Sequence, residues 1–278
     1  MKGLKILLLI FCIFLVKTGV DAQNIRDPVS ALYPGFGAYS SKQADIFSGR
    51  ANQAGLARLR SFQAGIYGER RFMMNALGFF TLIASIPIRP GNLALQVDYF
   101  GYHNYNESQG GLAYARSLGP KMDIGIKFNY YALRIPSYGS ASSFNFELGS
   151  LLHISDKLHT GIHAYNPLGS HLGRSGQERL ASIYRTGLGY EPSVHLLLSA
   201  EILKVEGRDH SINIGIHYLF SEKLQVRCGI STGLGAFFFG LGFRNRKIRL
   251  DLSVSFHQYL GPSPGLMILF PTDQSFTR

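Results

Sequence analysis

The stretch "KIRLDLSVSFHQYL", Lys247 to Leu260, alternates apolar and polar residues along its length. Ile248, Leu250, Leu252, Val254 and Phe256 fall on one side of an extended chain. Lys247, Arg249, Asp251, Ser253, Ser255 and His257 fall on the other, because successive strand side chains face opposite ways. A soluble sandwich would turn the apolar face inward to a core. An outer-membrane barrel would turn it outward to lipid and line its interior with the polar face.

The rest of the chain favours the second arrangement. No stretch after the N-terminus approaches the length of apolar sequence that a membrane helix needs. Instead, fourteen alternating segments separated by turn signals run from Leu59 to Phe270. The spacing, about fifteen residues per strand and turn, exceeds the 8 to 12 of a soluble sandwich and suits membrane strands. An even strand count matches bacterial barrels. Loop lengths add a second argument. The even-numbered turns are all short ("RPG", "GP", "SD", "EP", "SE", "RNR"), while the long ones, "PSYGSAS" and "NPLGSHLGRSGQ", fall among the odd-numbered turns. Short turns at one end and longer loops at the other describe an outer-membrane barrel with a periplasmic and an external side. The expected fold is therefore all-β: a transmembrane antiparallel barrel of about 14 strands.

The N-terminus agrees. Lys2 and Lys5 precede the apolar run "LLLIFCIFLV", and Val20 and Ala22 occupy the small-residue positions of a cleavage site. Residues 1–22 thus read as a secretory signal peptide. Its removal takes away three lysines and one aspartate and lowers the formal charge from +11 to +9. The basic residues are scattered over turns and alternating positions with no nucleic-acid motif, so outer-membrane lipid headgroups are the expected partner and nucleic acid is not. Cys228 alone remains after processing, which leaves no intrachain disulfide. The chain has no Trp, but 15 Tyr and 20 Phe can form the interfacial girdles.

Glycines interrupt several strands, among them Gly65, Gly125, Gly149 and Gly189. Such glycines fit where another backbone passes close by. The segment of residues 23–58 precedes the first strand and is the natural occupant of the barrel interior. Within it, "SSKQADIFSGRANQAGLA" reads as a short helix with Ser40 or Ser41 as N-cap. The domain order is then a signal peptide at 1–22, a luminal segment at 23–58, a barrel at 59–270 and a tail at 271–278.

"ADIFSGRANQAGLA", Ala44 to Ala57, resembles the N-terminal signature of FadL-like outer-membrane barrels, in which Asn-Pro-Ala-Gly-Leu-Ala precedes the first strand. Gln53 stands where that signature has Pro. The region from Ile212 to Phe270 resembles the PorV/PorQ branch of that superfamily, found in Bacteroidota. The resemblance implies a fourteen-stranded barrel with its N-terminal segment folded into the lumen, in the bacterial outer membrane. It also implies a non-enzymatic docking subunit of a type IX secretion apparatus, partnered by other envelope proteins of a secretion or assembly complex. Two other roles stay open: a FadL-like channel for small hydrophobic molecules, and an accessory subunit of another complex such as the barrel-assembly machinery.

Individual residues carry the site expectations. Asp45, Arg50 and Asn52 of the luminal segment are placed to meet inward-facing Gln96, Asp98, Arg249 and Asp251, since buried polar groups need partners. Arg70, Arg71, His171 and Arg174 are candidates for an external interface, with Arg70 and Arg71 able to pair with lipid phosphates. Arg244, Arg246 and Lys247 form a basic periplasmic turn that could dock a partner. Phe270, the terminal aromatic of the last strand, looks like the signal read by the outer-membrane assembly machinery. His159 and His163 lie about 13 Å apart on one strand face, too far to share a metal, and no metal site or cofactor is expected. Ser170, His171 and Ser175 in the long loop lack an acidic partner for hydrolase chemistry, so no catalytic residue is assigned.

Overall fold

The structure, a computed structural model, describes residues 38–173, 178–233, 235–245 and 247–270. The expected signal peptide, residues 23–37, Arg174, Ser175, Arg246 and the tail 271–278 lie outside the described residues.

The strands are β1 (Gln63–Arg70), β2 (Gly78–Ile88), β3 (Gly91–Tyr102), β4 (Tyr105–Ser117), β5 (Met122–Ile135), β6 (Gly139–His153), β7 (Leu158–Tyr165), β8 (His171–Leu172), β9 (Glu178–Arg179), β10 (Ile183–Tyr190), β11 (Leu196–Val205), β12 (His210–Leu219), β13 (Leu224–Ser231), β14 (Ala236–Arg244), β15 (Arg249–His257) and β16 (Gly261–Phe270). Fourteen of them close an antiparallel barrel in chain order, with β7 beside β10 and β16 returning to β1. The two-residue strands β8 and β9 pair with each other in the loop between β7 and β10.

Strand β15 settles the orientation of the opening stretch. Leu250, Leu252 and Phe256 are exposed on the outer surface, while Arg249, Asp251 and Ser255 are buried inside. The same inversion recurs around the wall, where Ile66, Phe80, Leu95, Phe128, Ile162 and Ile214 are all exposed. A soluble protein would not display that continuous apolar belt. Backbone hydrogen bonds run from each barrel strand to both neighbours, which closes the wall as hydrocarbon requires.

Three expectations about the barrel wall need correction. The segment beginning at Phe72 does not start as a strand: residues 71–77 form two short 3-10 turns, with Phe72 and Met73 in left-handed backbone conformations (φ 54° and 59°). Glu178 and Arg179 do not extend the eighth barrel strand but pair with His171 and Leu172. The sorting of loop lengths is weaker than the turn signals imply. Residues 71–77 and 166–182 are long and lie at the expected external end, but residues 136–138 form a tight turn because β5 and β6 keep pairing as far as Ile135 and Gly139. Polar residues in "YGSAS" sit in a strand that outruns the apolar belt, which a turn-residue reading mistakes for a loop.

Residues 38–58 lie inside the barrel. Instead of the expected helix from Ser40, they contain one helical turn, α1 (Ser48–Ala51), and a 3-10 stretch, Gln53–Arg58, packed against β3 to β6. Ser40 does accept a hydrogen bond from the Gln43 N–H at 2.7 Å, as an N-cap would. The helix nevertheless fails to form there because the side chains around it are bonded to separate parts of the wall. Asp45 opens α1 instead, its Oδ1 accepting from the N–H groups of Phe47 (2.9 Å) and Ser48 (3.2 Å).

Candidate functional site

Two glycines show how closely the luminal segment lies on the wall. A Cβ on Gly189 would stand 1.8 Å from the Tyr39 carbonyl oxygen, and one on Gly125 would stand 2.7 Å from the Gln53 carbonyl carbon. Neither backbone could approach a residue with a side chain.

From that seat the segment sends polar side chains to widely separated strands. Tyr39 donates its hydroxyl to Glu201 on β11 at 2.7 Å. Asp45 pairs with Arg249 on β15 at 2.5 Å, and Arg249 also holds Asp251 at 3.2 Å. Arg50 pairs with Asp98 on β3 at 2.5 Å and lies over the Phe79 ring, 4.3 Å from its centroid. Asn52 donates to the Ser150 carbonyl on β6 at 3.0 Å and caps Ala54 with its own oxygen. Gln53, at the position of the signature proline, donates to Glu147. Burial alone would raise the Asp45 carboxyl, but the Arg249 and Arg227 guanidiniums outweigh it and hold that carboxyl below the usual range.

The wall adds links of its own. Lys127 donates to Gln96 at 2.9 Å and lies 3.4 Å from Glu147, which also meets His163 at 3.0 Å. At the end where the short turns lie, four side chains form a line: Asp123 to His153 (2.8 Å), His153 to His159 (2.9 Å) and His159 to Glu191 (3.2 Å). Glu191 in turn receives the Ser40 hydroxyl. Burial would raise the Glu191 carboxyl, but hydrogen bonds from His159, Ser40 and the Lys42 N–H prevail and lower it. Sequence reasoning missed this line because its members lie far apart in the chain. The available signal was that all four stand at inward positions near that end. Among the described residues no group of three or more His, Cys, Asp or Glu side chains could hold a metal ion.

Not all of the interior is polar. Tyr67, Phe79, Phe100, Tyr131, Leu172 and Met267 belong to one buried apolar cluster beneath β1 to β5 and β16. The wall beside this cluster has a notch. Pairing of β1 with β16 ends at Glu69 and Gly265, although β16 continues toward Gly261 along β15. Pro262 and Pro264 lie in that stretch and have no N–H for a ladder. Residues 71–77 cover the gap, and the Phe72 N–H donates to Ser263 Oγ at 2.8 Å. Over the notch lies a cavity of about 650 Å³. Ile66, Phe80, Leu252, Leu266 and Ile268 line its outer part, and Tyr67, Glu69 and Gly265 are reached from its inner part.

The external and periplasmic candidates fall out as follows. Arg70 is exposed at the notch. Arg71 is not an external group: it is buried, pairs with Glu69 at 3.0 Å and faces the Phe100 ring 4.7 Å away. The correction follows from the 3-10 turn after Arg70, which carries the chain inward over the barrel mouth. His171 is exposed on β8. Arg244 is half-buried at the end of β14, and Lys247 is exposed in the following turn. Phe270 ends β16, opposite Ala64.

No family model matches this sequence, and no curated protein matches it. Solved structures do. The Pseudomonas putida toluene transporter TodX shares 11% identity over 89% of this chain and 98% of its own, with a TM-score of 0.63. A Pseudomonas aeruginosa FadL homologue shares 12% over 90% and 100%, at 0.58. The Ralstonia pickettii toluene transporter TbuX shares 10% over 88% and 97%, also at 0.58. Across nearly its whole length the chain has the fold of these outer-membrane barrels.

Proposed function

We propose that this protein is an outer-membrane barrel that admits small hydrophobic molecules through the β1–β16 notch. The notch itself carries the reading: the β1–β16 ladder stops there, a largely apolar cavity lies over the gap on the outer face, and that cavity shares Tyr67 with the buried apolar cluster. The cavity volume is within the ~300–1,000 Å³ usual for small-ligand sites. The transport roles named for the fold neighbours support the same cargo class. The luminal segment blocks a straight axial route, so a lateral path suits cargo that partitions into lipid. Gly68→Trp would fill the outer part of the cavity, since Gly68 faces outward beside Phe80. Proteoliposomes with this variant should take up toluene several-fold more slowly than those with the parent protein, while folded-barrel migration on unheated gels stays the same. Equal uptake by the two would refute the notch as the route.

A second reading, the docking subunit of the PorV/PorQ type, is favoured by the charge-paired segment that fills the polar half of the interior. A barrel filled in this way has its outer surface and loops left for contact with other envelope proteins. Mild-detergent isolation of the tagged protein from its native membrane, followed by mass spectrometry, tests it. Co-purification of a fixed set of secretion or assembly proteins supports docking, and a solitary barrel carrying a hydrocarbon supports the channel.

A further inference from the structure

The end of the barrel that carries the short turns is chemically unlike the other end. Among the described residues its exposed charges are Lys42, Arg60, Arg89, Arg116, Lys121, Lys157, Lys223 and Lys247, against Asp156 and Glu222. At the opposite end, exposed Arg70, Arg134, Arg179 and Arg208 are nearly balanced by Glu178, Glu206 and Asp209.

The cations of the short-turn end are not clustered. Arg60 precedes β1, Arg89 sits between β2 and β3, Lys121 between β4 and β5, and Lys157 between β6 and β7. Lys223 lies between β12 and β13, and Lys247 between β14 and β15. The turn between β10 and β11 holds His195, and Lys42 adjoins it, since the Lys42 N–H points at Glu191. The charge therefore runs around the whole circumference.

Each of these positions also presents an exposed apolar side chain. Phe62 accompanies Arg60, Ile88 accompanies Arg89, Leu118 accompanies Lys121, and Ile154 accompanies Lys157. Val194 stands beside His195, Phe220 near Lys223 and Ile248 beside Lys247. An apolar group at the hydrocarbon boundary with a cation just beyond it matches a phospholipid, whose acyl region and phosphate are stacked in that order. An acidic protein would ask for a one-sided patch and would leave the apolar partners unexplained.

We infer that this rim is a binding ring for anionic phospholipid headgroups of the periplasmic leaflet. The inference depends on outer-membrane placement and is independent of what the barrel carries.

The test reconstitutes the full-length protein in mixed phosphatidylcholine and phosphatidylglycerol bilayers and measures, with spin-labelled lipids, which lipid occupies the boundary shell. Phosphatidylglycerol should be preferred by roughly fivefold, with the preference shrinking as salt rises. The combination Arg89→Gln, Lys121→Gln, Lys157→Gln and Lys223→Gln removes half of the ring's exposed cations and should reduce the preference by about half or more. Arg134→Gln with Arg208→Gln, at the other end, should leave it unchanged. Migration on unheated gels confirms that each variant is folded, and if the fourfold variant fails that check, the pairs Arg89→Gln with Lys121→Gln and Lys157→Gln with Lys223→Gln should each reduce the preference. No preference in the parent protein would overturn the ring. So would a preference removed by the external pair instead, or rim-dependent retention of an acidic protein without lipid selection.

Discussion

At the scale of single residues, the interior depends on ion pairs between the luminal segment and the wall, Arg50 with Asp98 and Asp45 with Arg249. Arg50 and Asp98 are both buried. Arg50→Ala strands a buried carboxylate and should destabilise the barrel by about 3–5 kcal/mol in denaturant unfolding, whereas Arg50→Met combined with Asp98→Leu should recover most of the loss. Gly189→Ala should cost about 1–3 kcal/mol, because the new methyl would overlap the Tyr39 carbonyl and push residues 38–41 off the wall. Protease sensitivity near Lys42 would report that displacement. For Glu191 and Asp45 the sign is fixed by their lowered carboxyls. Their contribution is complete above the ordinary carboxylate range and is lost as pH falls through the folded-state values. Thermal stability should therefore fall on acidification, less so in Glu191→Gln. Asp45, Arg50 and Asn52 could be singled out from sequence because polar residues in a segment bound for the interior must find partners. Gln53 and the His153–His159 contact could not, since no local pattern says which inward side chains meet across a closed wall.

At the scale of elements, alternation was the readable signal. The period of two gives β15 its two faces directly, and all fourteen barrel strands follow from the same pattern. Boundaries were harder. Phe72, Met73 and Met74 look like the start of an apolar strand, but two positive φ values bend them into a cap over the notch. The Ser263 hydroxyl that accepts from Phe72 fixes that cap. Ser263→Ala removes the acceptor at a cost of about 1–3 kcal/mol, felt locally. Limited proteolysis should then cut within residues 71–77 faster, while the strands stay protected. Equal cutting rates would mean that packing alone holds the loop.

At the scale of the whole molecule, the inside-out distribution of apolar residues makes a membrane barrel, and residues 38–58 occupy part of its interior. Barrels that assemble after deletion of residues 38–58, in lower yield, should conduct ions in planar bilayers, where the full chain should show little conductance. The overall architecture was legible because lipid-facing and lumen-facing residues obey one simple rule. The notch was not, because Pro262 and Pro264 signal a weakened ladder without saying which neighbouring strand stops short, and that is a property of register.

The radial bonds of the luminal segment also bear on how the barrel is made. Asp45 and Arg249 are separated by 204 residues, and Arg50 and Asp98 by 48. Strand β1, which seals the wall against β16, begins at Gln63, directly after the segment ends at Arg58. The segment and the strand that seals the seam are thus tied by only residues 59–62, so neither can lie far from the other. A barrel that closed empty would leave Asp98 without Arg50, and Arg249 with Asp251 but without Asp45. Closure that leaves the N-terminal segment outside therefore carries the cost of these unmade pairs, which biases the molecule toward the filled barrel.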